Sequence, residues 1–129
     1  MWHPRALPVA GLVLVLLASV MGCGTEPLYR SFDASVISPN GLEGAVVLEL
    51  EGTFLGVTAP SGSQVFTHAS EGVTRVVIVL TNPGNIQFTL TLDDLGEAPD
   101  VRIIEVADGA NELRVPLRGY RVEFTGVAP

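Results

Sequence analysis

Beyond its first 22 residues the chain carries one histidine, His68, and one cysteine, Cys23, so the chemistry open to it is narrow. Acyl transfer needs a nucleophile, a base and an acid that orients the base. His68 has Ser61, Ser63 and Ser70 near it in sequence, but Pro60-Ser61-Gly62-Ser63 does not have the form of a nucleophile elbow. His68 instead ends an alternating Val65-Phe66-Thr67-His68 run and reads as an ordinary strand or loop histidine, and the chain as a non-enzyme. Four acids, Asp93, Asp94, Glu97 and Asp100, crowd into one segment. Two carboxylates can work a glycosidic bond when held about 5–9.5 Å apart across a cleft. Several carboxylate and carbonyl oxygens on a flexible loop can take calcium. Here the acids share one loop without EF-hand spacing, and residues 23–129 contain no Trp to serve as a sugar platform. The expectation is a solvated acidic loop, with calcium on Asp93, Asp94, Glu97 and Asp100 as the alternative. One His and one Cys exclude a zinc site of the usual composition, and no cofactor is expected.

Two further groups face outward. Arg102, Arg114, Arg118 and Arg121 are expected to pair with Glu105, Glu112 and Glu123 across strands, at about 0.2–1 kcal/mol per pair, and not to form a positive face. The run Val76-Val77-Ile78-Val79-Leu80 is apolar on both faces. If Val76, Ile78 and Leu80 fill a core, Val77 and Val79 form an exposed interaction face. The other reading is a central strand covered by a loop such as residues 53–63.

These residues are carried by short strands. From Ser35 onward apolar residues recur with period two and the breaks fall at Gly, Pro, Asn and Asp. Residues 86–92 and 120–125 alternate most cleanly, with Ile86, Phe88, Leu90, Leu92, Tyr120, Val122 and Phe124 inward. Residues 45–51 do the same, and further strands are expected at 34–37, 65–68, 73–81, 101–107 and 112–117, with a weaker one at 54–58. Asn82-Pro83-Gly84-Asn85 reads as a type II turn joining two antiparallel strands, Ser38-Pro39-Asn40-Gly41 as a second Pro-led turn, and Asp108-Gly109 as a short hairpin loop. Pro116 marks its strand as an edge or a bulge. No segment keeps a helical period over ten residues, and residues 93–98 could make one helical turn at most. Eight or nine strands in about 90 residues predict an all-β, antiparallel two-sheet β-sandwich, with a closed barrel as the runner-up.

The N-terminus has a different plan. Met1-Trp2-His3-Pro4-Arg5 leads into an unbroken apolar run from Val9 to Met21, then Gly22-Cys23-Gly24. A positive start, a short apolar middle and small residues at a cut site make a cleavable signal helix. Thirteen residues span roughly 20 Å as a helix, short of the roughly 30 Å hydrocarbon core. The segment Val20-Met21-Gly22-Cys23 resembles the lipobox of bacterial lipoproteins. That resemblance implies removal of residues 1–22, lipidation of Cys23 and a membrane anchor; Gly24 after the cysteine leans toward the outer membrane if the host is Gram-negative. The chain then divides into a signal peptide (1–22), a lipidated tether (23–33) and a sandwich domain (34–129). Gly44–Glu51, Gly84–Leu92 and Gly119–Thr125 also resemble, in strand order and turn placement, the sandwiches of cohesin-like and related carbohydrate modules, an alternative to an Ig-like arrangement. The likeness implies binding of proteins or glycans through one sheet or its loops and transfers no binding residue.

Charge narrows the partners further. Among 129 residues there are seven arginines, no lysine and fourteen acids, a net charge of -7. Residues 23–129 keep six arginines and all fourteen acids, which gives -8. Nucleic acid needs a positive face that releases phosphate counterions, so it is not an expected partner. The function expected is a lipid-anchored, non-catalytic module in the cell envelope that binds an unidentified protein or, as the alternative, a glycan.

Overall fold

The computed structural model describes residues 29–127 except Thr53 and Asp94. Eight strands follow one another: β1 Arg30–Ile37, β2 Glu43–Glu51, β3 Gly56–Thr58, β4 Ser63–Ser70, β5 Val73–Gly84, β6 Gln87–Leu92, β7 Val101–Ala107 and β8 Arg121–Val127. They form two four-stranded antiparallel sheets, one in the order β3-β6-β1-β8 and the other β4-β5-β2-β7. No described helix is present, and none is long and apolar enough to cross a membrane. This is the two-sheet β-sandwich that the alternation predicts.

Period two decides which side chains meet between the sheets. Phe32, Ala34 and Val36 of β1 and Phe88, Leu90 and Leu92 of β6 are buried against Val46, Leu48 and Leu50 of β2, Val76 and Ile78 of β5 and Val106 of β7. Ile86, at the crossing between the sheets, completes this core. Phe32 meets Phe124 edge to face, with ring centroids 5.9 Å apart and planes inclined by 72°. Leu48 and Leu50 are fully buried, and removing a side chain of that size from such a site costs about 2–5 kcal/mol.

Several expectations need correction. Asn82-Pro83-Gly84-Asn85 is not a hairpin turn: Asn82, Pro83 and Gly84 belong to β5, and β5 and β6 lie in different sheets. Gly84 pairs with Glu43, and the ladder resumes only at Ala45 and Val79. Over this gap the Thr81 N–H bonds to the Gly62 carbonyl 2.8 Å away, which carries the β4 side of β5 one step past the Ser63–Leu80 pair while the β2 side is interrupted. Residues 112–117 form no strand. They make a single bridge, Leu113 to Ala107, through the bonds from the Asp108 N–H to the Glu112 carbonyl and from the Arg114 N–H to the Val106 carbonyl, and Pro116 has no N–H to extend the ladder. The described residues within 93–98 make no helical turn, and Asp94 lies outside them. Tyr120 precedes β8 instead of opening it. The sandwich begins at Arg30, so residues 30–33 are strand and not tether; Phe32 continues the buried alternation of Ala34 and Val36.

Candidate functional site

The two sheets turn unlike faces to solvent. On the β3-β6-β1-β8 sheet the outward positions of β1 and β6 are polar, Ser31, Asp33, Ser35, Gln87, Thr89 and Thr91, except for Ile37 at the end of β1 beside Arg121. Ser31 and Thr91 share a 2.8 Å hydrogen bond, and the Thr89 hydroxyl donates to Asp33 over 2.8 Å. Cross-strand polar pairs of this kind are what a water-facing sheet needs.

The opposite sheet is apolar at its centre. Register aligns Phe66 of β4, Val77 of β5 and Val47 of β2 in one row, with Glu105 of β7 at its end, and Gln64, Val79, Ala45 and Ala107 in the next. The bulge between Val47 and Leu48 leaves Ile104 unpaired on β7. Phe66 is 57% exposed, Val79 37% exposed and Val77 half-buried. Val76 and Ile78 are buried on the other side, and Leu80 is half-buried, so the expected division of this strand holds. β5 is central in its sheet, but residues 56–58, taken as its cover, are β3 of the other sheet. Beyond β7, the segment 113–117 walls a groove of about 240 Å³ lined by Ile104, Glu105, Leu113, Val115 and Leu117. Leu113 is 60% exposed and Val115 86%.

One row further along the sheet is charged: His68, Arg75, Glu49 and Arg102 lie side by side across β4, β5, β2 and β7. Glu49 accepts from Arg75 over 2.7 Å and also from Arg102. The Arg75 hydrogen bond, followed by that of Arg102, holds the Glu49 carboxyl below the usual carboxylate range. With Ser70, Glu71 and Val73 this row lines an open depression of about 470 Å³. His68 is exposed beside Arg75. Ser63 stands five residues back along the same strand, roughly 16 Å away at about 3.3 Å per residue, so the fold does not bring the two into hydrogen-bond reach.

Of the acidic loop, Asp93, Glu97 and Asp100 are exposed and Asp94 lies outside the described residues. Asp100 lines a depression with Glu49 and Arg102. Among the described residues no group of three or more acids, histidines or cysteines converges as a metal site. The loop is tied to β1 by Arg30, whose guanidinium donates to the Gly96 carbonyl. Arg121 pairs with Glu123 as expected, although along one strand and not across two. Arg102 goes to Glu49, and Arg114 to Glu43, instead of the expected Glu105 and Glu112. Cys23 lies outside the described residues.

The strongest polar cluster was not singled out in the sequence. Glu43 is only 2% exposed and accepts from Ser38 Oγ at 2.8 Å, Tyr120 OH at 2.8 Å and Arg114 Nε at 3.1 Å. Asn40 donates to the Tyr120 hydroxyl oxygen. The Glu43 hydrogen bond is the main reason that Arg114 holds its proton more tightly than usual. Beside it Asp108 accepts the backbone N–H groups of Glu112 and Ala110, which lower its carboxyl, the Glu112 bond most. The cluster locks residues 108–120 onto the end of the sandwich. Gly44, next to Glu43, is where the backbones meet: a Cβ there would stand 2.5 Å from the Asp108 carbonyl oxygen, an approach that no local sequence pattern announces.

These features define an antiparallel β-sandwich with one polar outer face and one whose apolar centre adjoins a charged row. No protein-family model, curated protein or solved structure matches the chain.

Proposed function

We propose that this chain is a lipid-anchored, non-catalytic binding module of the bacterial cell envelope, which holds another protein against the outer face of its β4-β5-β2-β7 sheet. The observation that carries the reading is the contrast between the two outer faces. Both are built on the same strand geometry, yet one is furnished with Ser, Thr, Gln and Asp and the other with Phe66, Val77, Val79, Val47 and Ile104. Contiguous exposed apolar surface marks an interaction site in a soluble domain. The face is mainly aliphatic with one aromatic ring, which favours a protein over a glycan. The anchor rests on Val20-Met21-Gly22-Cys23, and two or three acyl chains at Cys23 would hold the module on a membrane, since one chain alone binds only marginally.

Crosslinking in cells tests the face. Specific adducts of the native chain should disappear in Val77→Asp and persist in Thr89→Asp on the polar sheet; adducts unaffected by Val77→Asp would refute the reading. The intact mass of membrane-extracted protein should show loss of residues 1–22 and added lipid, and Cys23→Ala should leave the chain unlipidated. A water-soluble product cut elsewhere would refute the anchor alone.

A further inference from the structure

The edge of the same sheet carries a second surface, which does not depend on the anchor or on the apolar face. β4 and β5 are joined by a two-residue loop in which Glu71 and Gly72 have φ of 53° and 79°. Positive φ at both positions is the type I′ hairpin turn. Ser70 and Val73 flank it and therefore form a hydrogen-bonded pair. Such pairs alternate along an antiparallel ladder, so His68, Phe66 and Gln64 also bond to β5, while Val65, Thr67 and Ala69 direct their N–H and C=O groups away from the sheet. No described strand lies beyond β4.

Every other sheet edge is blunted. β3 has three residues, β8 carries Arg121 and Glu123, and β7 carries Arg102 and Glu105 and is covered at its Ala107 end by the Leu113 bridge. Short, charged or covered edges are the usual protection against strand addition. β4 has eight residues, Ser63-Gln64-Val65-Phe66-Thr67-His68-Ala69-Ser70, with no Lys, Arg, Asp, Glu, Pro or Gly among them. Its inward side is open as well, since the facing sheet stops at the short β3 and leaves Thr67 and Ala69 exposed.

We infer that β4 pairs antiparallel with β4 of a second copy of this chain, about a two-fold axis at Thr67, to make one continuous eight-stranded sheet. The strand is self-complementary about that residue. Thr67 meets its own copy and Val65 meets Ala69, large against small, and these three pairs exchange about six N–H···O bonds. On the outer face Phe66 stands beside the second copy's His68, and Gln64 beside Ser70. The chain has a net charge of -7, yet this seam brings no two carboxylates together. A foreign strand chosen by charge would find no charged side chain on β4; the edge offers ladder groups and neutral side chains arranged symmetrically.

The test is disulfide trapping in the full chain carrying Cys23→Ser, so that an introduced cysteine is its sole thiol. Thr67→Cys should give a disulfide-linked dimer on mild oxidation, because directly opposed Cα atoms about 5.5 Å apart lie within disulfide reach. Glu123→Cys, on the blunted β8 edge, should not. In sedimentation the native chain should run as a dimer, Thr67→Lys as a monomer that still unfolds cooperatively but with a melting temperature independent of protein concentration, and Val77→Asp as a dimer still, which separates this edge from the proposed partner face. Equal trapping at both positions, a dimer that survives Thr67→Lys, a monomeric native chain, or a Thr67→Cys crosslink only to a protein of different mass would each overturn the inference.

Discussion

Glu43 and Glu49 lie on the same strand, six residues apart, and each accepts hydrogen bonds from arginine. Their replacement should nevertheless have very different consequences. The Glu43 side chain is 2% exposed and serves three donors, Ser38, Tyr120 and Arg114, while Glu49 sits on the open outer face with both arginines more than half exposed. A hydrogen bond to a charged group contributes about 1.5–3 kcal/mol net. Three of them are not additive, and the Ser38 and Tyr120 hydroxyls can turn to water, so Glu43→Ala should cost about 3 kcal/mol. With a urea m-value of about 1–3 kcal/mol/M, the unfolding midpoint falls by about 1–3 M at constant m. Glu43→Gln keeps an acceptor for one hydroxyl and should fall between the native chain and Glu43→Ala. Glu49→Ala should leave the midpoint nearly unchanged, because exposed pairs are screened by solvent. Equal shifts for Glu43→Ala and Glu49→Ala would refute the argument that burial, and not the number of arginine partners, sets the value of these carboxylates.

The remaining predictions concern backbone approach and pH. Gly44→Ala should destabilise by about 1–3 kcal/mol in urea unfolding, because its Cβ would stand 2.5 Å from the Asp108 carbonyl oxygen and backbone cannot yield as a side-chain tip can. Gly56→Ala, with no atom within 4 Å of the added Cβ, should be neutral or slightly stabilising. Asp108 and Glu49 both have carboxyls held below their ordinary values, by backbone N–H groups and by arginines respectively. The unfolded chain therefore takes up protons first on acidification. Stability from these groups is complete above the ordinary carboxylate pKa of about 4 and is lost as pH falls through their lower folded values. Urea midpoints measured from pH 6 to pH 2 should decline more gently in Asp108→Asn than in the native chain.

The strands were legible because their information is local. Alternation between Ile86 and Leu92, or between Val46 and Leu50, needs only a buried and a wet side, and both runs became strands, Ile86 standing just before its own. The division of Val76 to Leu80 into inward and outward residues follows from the same period. What failed depends on partners far away in sequence. Asn82-Pro83-Gly84-Asn85 has the composition of a turn, but pairing with distant residues, Thr81 with Gly62 and Gly84 with Glu43, keeps β5 in its sheet through Gly84, and the chain crosses to the other sheet only after it. Residues 112–117 alternate like a strand, but Pro116 and the pull of Glu43 on Arg114 make them a strap.

The candidate sites divide in the same way. Val77 and Val79 could be placed on an outer face from the sequence, whereas the neighbours that turn two valines into a patch, Phe66, Val47 and Ile104, are joined to them only by strand order and a bulge. The neutrality of Ser63–Ser70 is visible in its composition, yet only the topology makes it an edge. Glu43 read as one acid among fourteen until Ser38, Tyr120 and Arg114, separated from it by 5 to 77 residues, closed around it. By itself the sequence determined the class of fold, the acidic surface and the lipobox resemblance, since these rest on composition and on short periods. The tertiary structure alone decided which face is apolar, which edge is bare and which carboxylate is buried, because each of these depends on distant segments packed side by side.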